Sequence, residues 1–137
     1  SINNPPNHLH GGPKGFHAAV WQIVDKTTDK ILLRYQSPDG EENYPGNVTT
    51  DVCYTVKDYD LNIEMTASSD ASTPINMSHH CFFNLAGEGN GDVLGHHLQI
   101  NADHFTPLDA CQIPTGEIRS VLGSPFDFRK LKRIGQD

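Results

Sequence analysis

The sequence is short of the features that mark several large function classes. It has no basic surplus: 17 acidic residues stand against 10 Lys and Arg, for a formal charge of −7. A nucleic-acid-binding domain carries the opposite balance, with a basic stripe along one face. The dense basic run Arg129, Lys130, Lys132 and Arg133 is short and is expected to be a solvated segment. No stretch approaches the roughly 20 apolar residues of a membrane-spanning helix. Cysteine is scarce and odd in number (Cys53, Cys81 and Cys111), so a disulfide framework is not expected and a reducing, cytoplasmic setting is. No signal peptide is expected either, since Ser1-Ile2-Asn3-Asn4-Pro5-Pro6 lacks a basic start and an apolar run. Helix signals are nearly missing. With 36% hydrophobic residues the chain is still apolar enough to fold, and its 137 residues suit a single domain.

What the chain does have is punctuation and alternation. Twelve glycines and nine prolines interrupt it every few positions and leave little room for long helices. Between them, period-2 patterns recur. Residues 30–36 read as a strand around Ile31, Leu33 and Tyr35. Val52, Tyr54 and Val56 alternate with Cys53 and Thr55. After the polar turn at Lys57-Asp58-Tyr59-Asp60, Leu61, Ile63 and Met65 alternate with Asn62, Glu64 and Thr66. This pair is a hairpin with one apolar face. Further strands are expected at residues 73–83, 97–102 and 118–122, and a glycine-rich loop at 86–95. The expected fold is all-β, a mostly antiparallel sandwich or part of one.

The chain also has eight histidines, the side chain most easily poised for proton transfer near neutral pH. The segment Ile75-Asn76-Met77-Ser78-His79-His80-Cys81-Phe82-Phe83-Asn84-Leu85 is the most informative. As a strand it places Ile75, Met77, His79, Cys81 and Phe83 on one face and Asn76, Ser78, His80, Phe82 and Asn84 on the other. The second row is too polar to face a core, where each unpaired polar group is costly. It suits a polyhydroxylated ligand, and it selects His80 over His79 as the chemical histidine. The second candidate is Asn7-His8-Leu9-His10-Gly11-Gly12-Pro13-Lys14-Gly15-Phe16, whose glycines let backbone approach a ligand closely. Neither this loop nor residues 87–95 has the pattern and following helix of a phosphate cradle. The pair His8 and His10 is similar to the histidines of a cupin metal site. That site needs a glutamate near the place where Lys14 stands, so no metal is expected.

With these residues in view, the sequence resembles the aldose 1-epimerases (galactose mutarotases). The likeness runs through residues 7–12 with Gly15-Phe16 and Trp21, residues 37–47 (Ser-Pro-Asp-Gly-Glu-Glu-Asn-Tyr-Pro-Gly-Asn), residues 76–87, Ile113-Pro114-Thr115-Gly116-Glu117, and Pro125-Phe126-Asp127-Phe128-Arg129. The resemblance implies an antiparallel β supersandwich with an open cleft for a free hexose. It implies an isomerase that interconverts α and β anomers of sugars such as galactose or glucose. A glutamate base takes the anomeric proton, a histidine acid protonates the ring oxygen, and the ring opens and recloses. The acid carries over to His80 and the sugar-holding histidine to His10. Asn76, Cys81 and Phe82 are implied sugar-site positions. No cofactor is implied.

The sequence departs from the family pattern at His79, where Asn is usual, at Cys81-Phe82, where Ser-Tyr is usual, and at His17-Ala18, where Asp and often Lys follow Gly-Phe. The likeness is to the central portion of a mutarotase. The Asn-Arg pair of the family's N-terminal segment has no match, nor do the binding aspartate and catalytic glutamate of its C-terminal segment. Glu41, Glu42 and Glu117 belong to other motifs. The chain is therefore expected to be weakly active or inactive alone, with self-association or completion by a missing segment. The alternatives are a noncatalytic sugar-binding module of the same fold and a hexose-phosphate epimerase, which would want a basic pocket.

Overall fold

The central strands are those whose alternation is clearest. In the computed structural model, which describes residues 2–136, β1 (Gln22–Lys26), β2 (Lys30–Ser37), β3 (Val48–Lys57) and β4 (Asp60–Ser69) form one antiparallel sheet in the order β1-β2-β3-β4. The expected hairpin is present, with Val52 opposite Met65, Tyr54 opposite Ile63 and Val56 opposite Leu61. Leu33 pairs with Val52 and Tyr35 with Thr50. Directly opposed residues share a face, so one face collects Ile31, Leu33, Tyr35, Val48, Val52, Ile63 and Met65. The other carries Arg34, Gln36, Asp51, Thr55, Glu64 and Thr66. On that polar face Arg34 makes a bidentate pair to its cross-strand neighbour Asp51, 2.7 Å for each contact. The hydrogen bond from Arg34, with its charge, holds the Asp51 carboxyl below the usual carboxylate range.

The apolar face is covered by aromatic rings from the first 21 residues. Phe16 meets Tyr35 at 5.4 Å and Trp21 at 6.1 Å, centroid to centroid, and Trp21 Nε1 donates to the Phe16 carbonyl. Val48 and Val52 are buried here, and Thr50 is fully buried between them.

The chain forms two compact units, residues 1–79 and 80–137. The second has little sheet. β5 (His97–Leu98) pairs with β8 (Lys132–Arg133), and β6 (His104–Phe105) pairs with β7 (Arg119–Ser120). Val121 is its one buried large apolar residue among the described residues. Turns and ion pairs do much of the holding. Asp109 Oδ1 accepts from the Cys111 and Ile113 N–H groups, and Phe105 and Phe126 stack at 4.6 Å.

Three strand expectations need correction. Residues 72–84 form no strand, and those at 97–102 and 118–122 shrink to two-residue pairs. Alternation alone does not make a strand; a ladder partner is also required, and among the described residues none lies beside 72–84. The basic run is not simply solvated either. Arg129 pairs with Asp127 and Asp103, and the Lys132 ammonium lies 4.6 Å from the Phe128 ring centroid. Strand β1, its side chains exposed throughout, carries no clean alternation and was not expected.

Candidate functional site

The loop carrying His10 is built by glycines and clamped by side chains. His10 itself is left-handed at φ 53°, followed by Gly11 at 77° and Gly12 at 94°. A side chain at Gly12 has no room, because its Cβ would fall on the Glu42 carboxylate and on His8 Nε2; one at Gly15 would fall on the His10 carbonyl. Asn3 grips Leu9 from both sides, Nδ2 donating to its carbonyl at 2.9 Å and Oδ1 accepting its N–H at 2.7 Å. The His10 ring is exposed and lies edge-on to His17 at 6.5 Å.

The motif at residues 37–47 forms a second tight segment beside this loop. Pro38-Asp39-Gly40 turns the chain, and Asp39 Oδ1 accepts the Gly46 N–H at 2.6 Å. Glu41 then accepts hydrogen bonds from the Tyr35 hydroxyl at 2.6 Å and from Ser37 Oγ. The carboxylate beside Tyr35 favours the protonated phenol. With partial burial it pushes that hydroxyl up to about 12. Glu42 and Asn43 are left-handed, at φ 48° and 71°. Glu42 Oε1 accepts the Lys14 N–H at 3.0 Å, which ties the two segments together. Glutamates 41 and 42 are thus structural acceptors, in line with the reading that neither is the missing base.

Over residues 76–80 the segment keeps its alternation without a ladder: Met77 and His79 are half-buried, while Asn76, Ser78 and His80 are exposed. Outside that stretch the expected faces are not kept, since Ile75, Cys81 and Phe83 are exposed and Asn84 is half-buried. The His79 ring packs edge-on against Tyr54 on the apolar face of the sheet, 5.8 Å between centroids. His79 is thereby a packing histidine, and His80 projects to solvent. The His80 ring lies 4.8 Å from Phe82, which is 88% exposed, and Cys81 is exposed and in no disulfide. Of the sugar-site candidates, His10 and Asn76 belong to the first unit and His80, Cys81 and Phe82 to the second.

Neither of two depressions among the described residues is lined by His10 or His80. One, of about 240 Å³, is bounded by Ile2, His8, Glu42, Asn43 and Tyr44. The other, of about 660 Å³, lies where the glycine-rich loop meets His96 and Arg133. No cluster of three metal-ligating side chains occurs among the described residues, and no helix is long and apolar enough to cross a membrane. Sequence reasoning missed His8 and Tyr44 as a pair. Their rings stack at 5.3 Å and the Tyr44 hydroxyl lies 2.8 Å from His8 Nδ1. A separation of 36 residues leaves no local pattern to signal such a contact.

Comparison with known proteins follows the same residues. The family model described as aldose 1-epimerase matches residues 1–137. Galactose mutarotase of Bos taurus is 43% identical over 136 residues, which is 99% of this chain and 40% of that protein. Aldose 1-epimerase of Escherichia coli is 42% identical over 132 residues, 96% of this chain and 38% of its own. The crystal structure of a GalM/aldose epimerase homologue from C. elegans superposes with a TM-score of 0.88 at 35% identity, covering 96% of this chain and 40% of that one. Galactose 1-epimerase from Lactobacillus acidophilus gives 0.87 at 34%, over 98% and 40%. The chain thus spans about two-fifths of the length of these relatives.

Proposed function

The chain belongs to the aldose 1-epimerase family, and on that premise we propose that it carries part of the site at which a free hexose, such as galactose or glucose, exchanges its α and β anomers. His80 hands a proton to the ring oxygen as C1–O5 breaks. His10 holds the sugar and steadies charge near the ring. Asn76, Cys81 and Phe82 line the sugar. The observation that carries this reading is the alternation at residues 76–80. It turns His79 into the sheet, where its ring meets Tyr54, and leaves His80 outward beside an exposed phenyl ring. An imidazole next to an exposed aromatic face suits a pyranose, which presents both hydroxyls and apolar C–H edges.

A positioned acid or base each contributes typically about 10²–10⁴-fold, and no glutamate of this chain matches the family's base. The expected result is sugar binding with little turnover. Polarimetry of freshly dissolved α-D-galactose with the 137-residue chain checks turnover, and NMR titration with galactose checks binding at His10 and His80. A full mutarotase rate abolished by His80→Ala would show that a base is present in the chain. Failure of the sugar to perturb either histidine would remove the reading altogether.

The same reading names the partner, a further polypeptide segment that completes the sandwich. The chain exposes 10427 Å² of surface, whereas a folded monomer of its mass exposes about 7,100 Å² and two independent units of these sizes about 8,500 Å². The excess is of the order buried in obligate interfaces, roughly 2,000 Å² or more. Mixing the chain with the two flanking portions of the bovine relative is expected to raise the mutarotation rate. No change in rate or in sedimentation would count against completion. The proposed compartment is the cytoplasm, which three cysteines joined in no disulfide support.

A further inference from the structure

The pocket beside the His10 loop contains a histidine that the proposed reaction does not use. His8 Nε2 is buried and has no hydrogen-bond partner among the described residues. Such an atom costs free energy unless something nearby answers it. Glu42 Oε2 and His8 Nε2 both crowd the point where a Cβ of Gly12 would stand, so the imidazole and the carboxylate converge over the Gly12 backbone. On its other side, the His8 ring stacks on Tyr44, whose hydroxyl lies 2.8 Å from Nδ1. Nε2 thus faces the carboxylate without a hydrogen bond, and the ring is held through Nδ1, which is hydrogen-bonded to the Tyr44 hydroxyl.

The backbone here needs holding. His10 is left-handed, a conformation that costs a residue with a Cβ about 1–3 kcal/mol and persists only where the surroundings over-determine it. Across the pocket Glu42 and Asn43 are left-handed as well. Two strained turns therefore face each other. The side chains that join them are Glu42, through the Lys14 N–H, and the pair His8 and Tyr44. His8 stands two residues before His10, with only Leu9 between, and Leu9 is gripped by Asn3. Any tilt of the His8 ring is passed along a short, pinned stretch of chain to the His10 Cα.

We propose that His8 is a positioning residue for the sugar site: its imidazole, hydrogen-bonded to and stacked on Tyr44 and packed beside the Glu42 carboxylate above Gly12, fixes the turn that presents His10. The effect on sugar rests on the function proposed above, while the effect on the turn does not. Glu42 is then both a tie for the Lys14 amide and the carboxylate against which His8 packs. Gly12 is the space in which the two groups meet.

The test is made on the whole 137-residue chain with isotope-labelled histidine. The wild type is expected to give one sharp set of His10 ring resonances. His8→Ala is expected to broaden or double them and to weaken D-galactose binding roughly tenfold, equivalent to about 1.4 kcal/mol. His8→Gln keeps a polar group able to bond the Tyr44 hydroxyl, and is expected to restore the sharp His10 set. A loss of packing volume alone would not be repaired by that change in the His10 spectrum without also restoring stability in parallel, so both are measured. His10 resonances identical in wild type and His8→Ala would overturn the proposal. If His8→Ala erases the amide signals of β3 and β4, Tyr44→Phe decides, since it removes one hydroxyl and leaves the stack. Altered His10 resonances then support the proposal and unaltered ones end it. Should the wild type not bind galactose at all, the proposed function falls, and His8 is judged on the His10 resonances alone.

Discussion

The two units of this chain hold themselves together differently. The first has a four-stranded sheet whose opposed residues gather aliphatic and aromatic side chains on one face, with Val48, Thr50 and Val52 buried beneath them. The second has two-residue strand pairs, one buried valine, and a set of turns and guanidinium–carboxylate pairs. Burial of apolar area is non-directional and accumulates along a strand, whereas each exposed ion pair adds little and is screened by salt. The first unit can therefore hold a strained loop such as the one at His10. The second presents an exposed His80 and Phe82 on a framework with little core of its own.

The largest expected effect attacks that contrast at its strongest point. Gly12→Ala adds a Cβ where the Glu42 carboxylate and His8 already stand, on a backbone at φ 94°. Strain and overpacking together predict a loss of about 3 kcal/mol. Chemical denaturation followed at Trp21, which lies in the first unit, checks it. A loss below about 1 kcal/mol would mean that Glu42 and His8 move aside without cost. Next comes Val52→Ala in β3, where a 6% exposed valine leaves a small cavity. The expected cost is about 2 kcal/mol. Amide exchange sharpens the test. Protection should fall along β2 and β3 and stay the same at β6 and β7, because the two units open separately. A uniform loss across both would show that they unfold as one.

These contrasts also explain what the sequence disclosed. The hairpin of β3 and β4 was legible because both strands and their turn are contiguous, so alternation and pairing lie within the same twenty-two residues. Residues 72–84 show alternation just as clearly, yet form no ladder, because pairing depends on a neighbour that sequence patterning does not name. The different burial of His79 and His80 was legible even so, since over residues 76–80 the in-and-out alternation survives in an extended chain without hydrogen-bonded neighbours. Contacts such as His8 with Tyr44 and Arg129 with Asp103 join residues 36 and 26 apart. They follow from how turns fold back, which no local period encodes. The family resemblance supplied His10, whose exposed ring and left-handed backbone give no composition signal.

A smaller effect tests the second unit by acid. The bidentate hydrogen bonds from Arg129 hold the Asp127 carboxyl down to about 2, well below the ordinary carboxylate range near 4. A carboxyl whose folded value lies below its unfolded one contributes stability above the unfolded value and loses it as pH falls through the folded one. Between about pH 4 and pH 2 the second unit is therefore expected to loosen, with Phe105 and Phe126 signals shifting first. Asp127→Asn should remove that pH dependence at its source. Persistence of the same acid transition in Asp127→Asn would assign it elsewhere.

The smallest effect probes the first unit from the alkaline side. Tyr35 donates its hydroxyl proton to Glu41, and that hydrogen bond, with burial, raises the phenol to about 12. Its folded value lies above the unfolded one near 10, so the contribution is fully present below about pH 10 and is lost as pH rises through about 12. Tyr35→Phe keeps the ring packed against Phe16 and Trp21 and deletes only the donor. Glu41 retains Ser37 Oγ as a partner, so the expected cost at neutral pH is about 1 kcal/mol. The alkaline loss of stability should shrink in the same variant. Because the Glu41 turn leads directly into Glu42, Tyr35→Phe also tests whether the strained turn is held from the sheet side. If it is, the His10 resonances sharpened by His8 should broaden slightly in Tyr35→Phe. If they stay sharp, the His8 and Tyr44 contact holds the loop without help from the sheet.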